Sequence, residues 1–194
     1  MAAHKLLLSP ADLSCPAVGP DRLAERLLAI GLIGRPVPLH DGPFYPTGDR
    51  FLQLITFLGC APQIELDPPA DPTELESASA AGRFCHVYLA ETAQLQFRAD
   101  SQTRTAHCPQ CRKPEPQWQA IIHAWQQDPA TTVWQCAACG HAGRPTELRF
   151  RKTAGFGKTW VEIRGIYPSE AVPGETLLAA LRTLTDGDWT ILYI

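Results

Sequence analysis

Two Cys-x-x-Cys pairs constrain this chain more than any other feature: Cys108-Pro109-Gln110-Cys111 and Cys136-Ala137-Ala138-Cys139-Gly140. A two-residue spacer lets both sulfurs of a pair turn toward one point. A Zn²⁺ ion takes four such donors tetrahedrally at about 2.3 Å. Gly140, directly after the second pair, suits the sharp turn of a knuckle, because glycine enters positive φ without a Cβ penalty. The pairs predict one closed site in which Cys108, Cys111, Cys136 and Cys139 hold a single zinc ion. Four thiolates leave no coordination position open, so the ion is expected to be structural. Apparent binding energies at such sites are on the order of 10–16 kcal/mol, enough to fold a local module that lacks a core of its own.

This arrangement resembles the zinc-ribbon superfamily, in which two such knuckles supply a closed four-cysteine site. The resemblance covers about residues 104–145. The 24 intervening residues, 112 to 135, exceed the usual spacing of about 15–20, so the ribbon carries an insertion. Residues 116–127 predict a helix there, with Trp118, Ile121, Ile122 and Trp125 on one side. His107 and His141 flank the knuckles and suit either exchange for a cysteine ligand or a hydrogen bond to a sulfur. A redox alternative exists, since Cys108-Pro109-Gln110-Cys111 resembles the CPxC of glutaredoxin-like proteins. Such a motif comes after a buried strand and opens a helix directly. Here residues 101–107 are polar, Pro114 and Pro116 break the stretch after Cys111, and a second pair would be left without a role.

Seven cysteines, four of them in tight pairs, fit metal chemistry in a reducing compartment better than a disulfide framework. No apolar run approaches the roughly 20 residues that cross a bilayer. The three-leucine run near the N-terminus is too short for a secretory signal, and the expected location is the cytoplasm. The net charge of −3 is unevenly placed. Residues 104–152 carry seven Lys or Arg and three acids, hence +4, which leaves −7 for the rest. Such asymmetry marks a face for polyanions, or else cations that offset the −2 charge of a zinc–tetrathiolate centre.

Around the module, residues 21–30 predict a helix with Leu23, Leu27 and Ile30 in register and Gly31 as its stop. Residues 50–58, capped by Asp49 and closed by Gly59, predict a buried helix, with a buried strand as the competing assignment. Residues 64–82, with three prolines and five acids, are expected to connect. Residues 84–90 and 94–98 predict a strand pair turning at Glu91-Thr92. Residues 147–152 and 159–166 predict two more strands, joined at Gly155-Phe156-Gly157. Pro173 and Glu175 open a last helix that Gly187 ends, and residues 189–194 are strand-like. Four or five strands and about three helices, not alternating, predict an α+β fold with a mixed or antiparallel sheet. Residues 1–103 and 146–194 would form one body, with the metal module at 104–145 inserted.

No catalytic constellation rises above a structural explanation. Gly155-Phe156-Gly157-Lys158-Thr159 lacks the earlier glycine of a phosphate loop, with Lys152 in that place, and reads as a hairpin turn. A zinc-deaminase pattern needs His-x-Glu upstream, whereas His86 is followed by Val87 and Tyr88. Cys15, Cys60 and Cys85 suit small buried hydrophobes, and His40-Asp41 suits a surface loop. Trp118, Trp125 and Trp134 either stack nucleic-acid bases or pack the module. Arg149-Phe150-Arg151-Lys152 either tracks a phosphate backbone or forms an exposed strand face. The expectation is a non-enzymatic adaptor that presents its ribbon to a macromolecule, a protein first and a nucleic acid second. An enzyme with a pocket between the N-terminal helices and the sheet is a further alternative.

Overall fold

The computed structural model describes residues 5–40, 42–58, 64–167 and 170–194. In chain order the elements are β1 (Lys5–Pro10), α1 (Pro20–Ala29), β2 (Tyr45–Pro46), α2 (Phe51–Leu54), β3 (Ile55–Phe57), α3 (Pro72–Ala80) and β4 (His86–Ala99). Next come β5 (Ala106–His107), β6 (Pro114–Glu115), α4 (Trp118–Gln127), β7 (Trp134–Gln135), β8 (Ala142–Gly143), a 3-10 turn (Pro145–Glu147), β9 (Ala154–Arg164), β10 (Ala171–Pro173), α5 (Glu175–Thr185) and β11 (Trp189–Tyr193). The class is α+β, and among the described residues five segments are α-helical. The chain divides into two compact units, residues 1–96 with 157–194, and residues 97–156.

The first unit is built on a five-stranded sheet in the order β11-β1-β9-β4-β2. β1 lies antiparallel to β11, with Leu7 opposite Leu192, and antiparallel to β9, with Leu6 opposite Ile163. Successive side chains of a strand point to opposite faces, and both faces of β1 are covered. Leu6 and Leu8 join the core formed with Leu23 and Leu27 of α1, Leu177 and Leu181 of α5, and Val161 and Ile163 of β9. Leu7 packs on the other side with Trp160 and Leu192. Continuous burial explains why Leu6-Leu7-Leu8 is an unbroken apolar run rather than an alternating one. Phe51 and Leu54 of α2 join the same core.

Several local expectations are corrected. Residues 84–98 are not a hairpin: β4 runs through Glu91 and Thr92 without turning. Glu91-Thr92-Ala93 contains no residue that enters positive φ cheaply, and the Thr92 hydroxyl donates to Gln94 O (2.8 Å) and to Lys158 O (3.3 Å). Gly155-Phe156-Gly157 is likewise no turn but part of β9. A Cβ on Gly157 would collide with Ser9 Oγ and the Trp160 ring, so the glycine serves a close approach. The reversal occurs earlier, at Arg151-Lys152, and residues 147–152 form no strand. Residues 50–58 are both helix and strand: α2 passes directly into β3, and Leu52 and Leu58 are exposed. Arg50, not Asp49, stands at the start of α2, and Gly59 lies outside the described residues. Within 64–82, α3 forms where a connector was expected. The Asp71 carboxylate accepts the Thr73 N–H at 2.9 Å, and Pro72 occupies the first turn. Pro173 ends β10 instead of opening α5.

Candidate metal centre

The second unit contains the four cysteines on two knuckles with the same backbone pattern. In the first, Cys108 N–H donates to Lys113 O (3.0 Å) and Arg112 N–H donates to Cys108 O (3.0 Å). In the second, Cys136 N–H donates to His141 O (2.8 Å) and Gly140 N–H donates to Cys136 O (2.9 Å). The fifth residue of each knuckle has positive φ, 61° at Arg112 and 74° at Gly140. Short strands flank each turn, β5 with β6 and β7 with β8, so each CxxC sits at the tip of a small ribbon.

These tips meet. The four sulfurs all lie within 4.8 Å of one another. Cys108 Sγ is 3.8 Å from Cys139 Sγ, and Cys111 Sγ is 3.7 Å from Cys136 Sγ. A tetrahedron with bonds of about 2.3 Å has edges of about 3.8 Å, so the spacing suits four thiolates around one ion. It is far longer than the roughly 2.05 Å of a disulfide. His107 and His141 stay outside the group. His107 Nδ1 is buried without a hydrogen-bond partner, and His141 Nε2 is 3.5 Å from Glu147 Oε2 without hydrogen-bond geometry.

The thiols are not equivalent. The Ala138 N–H directed at Cys136, joined by the Cys139 N–H, brings that thiol down to about 7 against the opposing effect of burial. For Cys139 the His141 N–H pulls downward, but burial and hydrogen bonds to the other sulfurs outweigh it and push the thiol up to about 12. Backbone N–H groups favour thiolate, while crowding of four sulfurs opposes further ionisation. A divalent cation removes that opposition by replacing the protons.

The tryptophans pack the module. Trp118, Trp125 and Trp134 are all buried. Trp118 Nε1 donates to Arg104 O at 3.3 Å and Trp134 Nε1 to Arg144 O at 3.0 Å. Trp118 and Trp125 come from α4, as their spacing predicts, and meet Phe97, Phe150 and Phe156 in an aromatic cluster with centroids 5.0 to 6.3 Å apart. Their buried rings offer no face for base stacking.

The remaining candidates divide. Thr159 is buried, its hydroxyl accepting from Val18 N–H at 2.8 Å inside a strand, which disposes of the phosphate loop. Cys85 is buried, and burial pushes its thiol up to about 12, leaving it inert. Cys15 is half-buried and its thiol is raised, chiefly by burial. Cys60 and Asp41 lie outside the described residues.

One constellation escaped the sequence. Ser79 Oγ lies 3.1 Å from His86 Nε2 and 3.0 Å from Tyr88 OH, and His86 Nδ1 is 2.8 Å from Phe84 O. A carbonyl only accepts, so Nδ1 carries the proton and the serine hydroxyl donates to Nε2. This is a nucleophile–base geometry, but Ser79 is 1% exposed and His86 0%. The neighbouring cleft, about 260 Å³, is lined by Glu65, Pro68, Arg83 and Phe84 among others, and by neither of the pair. The pair is a satisfied polar network inside the core. Only its pairing across seven residues and a turn creates it, and no sequence motif announces that.

No helix among the described residues is long and apolar enough to cross a membrane. No protein-family model matches the chain, and neither a curated protein nor a solved structure shows significant similarity to it.

Proposed function

We propose that Cys108, Cys111, Cys136 and Cys139 hold one structural zinc ion, and that the chain is a non-catalytic binding protein whose zinc-stabilised module meets a macromolecular partner. The observation that carries this reading is that four sulfurs drawn from two turns all lie within 4.8 Å of one another. Zinc suits an all-thiolate tetrahedron, needs no redox partner, and keeps no coordination site for substrate when four cysteines bind it. The ion would replace the large core that residues 104–145 lack, in the manner of a zinc ribbon with an inserted helix. A centre of this kind persists in a reducing compartment, which favours a cytoplasmic location.

Two features support binding over catalysis. Four cysteines around a tetrahedral ion leave it no position for a substrate, and the Ser79–His86 pair is buried. The test is elemental analysis of protein purified without chelator. One zinc per chain is expected, falling to near zero in Cys108→Ser/Cys136→Ser. A metal-free protein showing a reversible dithiol–disulfide couple would overturn the reading.

A further inference from the structure

The module's charge is not spread evenly over its surface. Residues 97–156 carry eight Lys or Arg and four acids, a balance of +4. The acids are engaged within the unit. Glu115 is buried and accepts the Gln117 N–H, the Asp128 carboxylate accepts from Ala130 and Thr131, and Glu147 accepts the Arg144 N–H and faces His141. The Asp100 carboxylate accepts the Gln102 N–H. Arg144 is also spent internally, on the carbonyls of Pro129 and Ala130. Arg112, Lys113, Arg149, Arg151 and Lys152 differ: all five are exposed, and among the described residues none of them has an ion pair or side-chain hydrogen bond.

Strand pairing brings the backbones of these five exposed residues into one neighbourhood, called the stripe. Arg149 exchanges backbone hydrogen bonds with His107 (2.9 and 3.0 Å), and His107 pairs with Pro114 of β6. On the inner face Leu148, Phe150, Ala106, Cys108 and Glu115 are buried, so Arg149 and Pro114 face outward. Arg112 and Lys113 precede Pro114 at one end. Arg151 and Lys152 come after Phe150 at the other.

Backbone conformation adds an independent sign. Among the described residues, four other than glycine have positive φ, and three of them belong to the stripe: Arg112 (61°), Arg151 (50°) and Lys152 (69°). With Thr153 N–H donating to Phe150 O at 3.0 Å, Arg151 and Lys152 form the centre of a primed turn, where Asn-Gly is the usual choice. The second knuckle has glycine where the first has Arg112. The chain thus keeps cations at three positions where glycine would be less strained.

We infer that this stripe is a docking surface for the phosphate backbone of double-stranded nucleic acid, recognised by charge without regard to base sequence. It rests on the zinc-module reading above and names its partner. Offsetting the charge of a zinc–tetrathiolate centre, −2, takes two cations, and Arg112 and Lys113 beside Cys111 already supply them, so it leaves Arg149, Arg151 and Lys152 without a role. A protein partner would be expected to engage exposed aromatic anchors, yet all three tryptophans are buried, as is Phe150 within the stripe. A single strand would want the same rings for stacking. Along the stripe the exposed side chains are cationic, which suits phosphates.

The test uses full-length protein verified to contain one zinc per chain, a labelled 20-base-pair DNA duplex of two unrelated sequences, and fluorescence anisotropy from 25 to 200 mM salt. Equal binding of both sequences is expected. With about four or five phosphates neutralised, the log–log salt slope should be about −4, an affinity loss of about 250-fold between 50 and 200 mM. Arg149→Gln and Lys152→Gln should each weaken binding and flatten the slope by about one. Arg151→Gly/Lys152→Gly should melt at higher temperature than the parent yet bind the duplex at least about tenfold more weakly, a combination a purely structural role would not give. Zinc-loaded protein that binds neither duplex at 25 mM salt overturns the inference and leaves the metal reading standing. So does binding only to vesicles rich in phosphatidylserine. Duplex binding unaffected by the glycine pair overturns this choice of surface. Protein without zinc would instead sink the reading beneath it.

Discussion

At the scale of single residues, the two knuckles show how one backbone demand is met in two ways. Gly140 adopts positive φ with nothing within 4 Å of a notional Cβ, so conformation rather than space selects glycine there. Arg112 meets the same demand with a side chain, at a strain of about 1–2 kcal/mol for an L-residue in the left-handed region. His86 carries a different kind of conflict. Burial holds its imidazole down at about 4, against a contrary pull from the Phe84 carbonyl. The folded value lies below the unfolded value of about 6.5, so the unfolded chain takes up the proton more readily between those limits. Stability is therefore full above about pH 6.5 and falls by about 3 kcal/mol as pH drops toward 4. Urea titration of the parent against His86→Asn checks this: the parent should lose its excess stability across that window. Any acid effect on the cysteines is common to both proteins and cancels. Parallel pH profiles would show that His86 titrates as a solvated group.

At the scale of elements, legibility tracked the range of the interaction that decides each one. The knuckles were readable because ligand spacing, the glycine after the second pair and the turn are all contained in five residues. α1 and α4 were readable because a helical stripe of Leu or Trp repeats every three or four residues. β1 was not: three leucines in a row look like nothing until β9 and β11 are known to flank them and to cover both faces. The hairpin expected at 84–98 failed because an alternating pattern says that a chain is extended, not where it ends. Gly157 is the sharpest case, since a turn glycine and a close-packing glycine look alike in sequence. They differ on substitution. In a surface turn Gly157→Ala would be nearly neutral, whereas in β9 the added methyl meets Ser9 and Trp160. A loss of about 1–3 kcal/mol in the urea unfolding free energy is expected, as for other overpacked sites. A change under about 0.5 kcal/mol, within the range of ordinary surface substitutions, would restore the turn.

At the scale of the whole molecule, stability has two sources with different chemistry. Residues 1–96 and 157–194 bury Leu6, Leu8, Leu27, Val161, Leu177 and Leu181 in one apolar core, which depends on no ion. Residues 97–156 bury three tryptophans and gather three phenylalanine rings around short ribbons, and their four sulfurs repel one another once ionised unless a cation sits among them. Binding of a metal only to the folded arrangement stabilises that arrangement alone. Chelation should thus act on one unit and spare the other. Hydrogen–deuterium exchange before and after treatment with a strong zinc chelator reads this directly. Amides of β5 through β8 and of α4 are expected to lose protection, while those of β1, β11, α1 and α5 keep theirs. Trp160 and Trp189, buried in the first unit, should retain their near-ultraviolet dichroism as the signal of the other three collapses. Uniform loss of protection along the chain would mean that the two cores unfold as one. Unchanged protection would mean that aromatic packing alone holds the module, with the four sulfurs adding little to its stability.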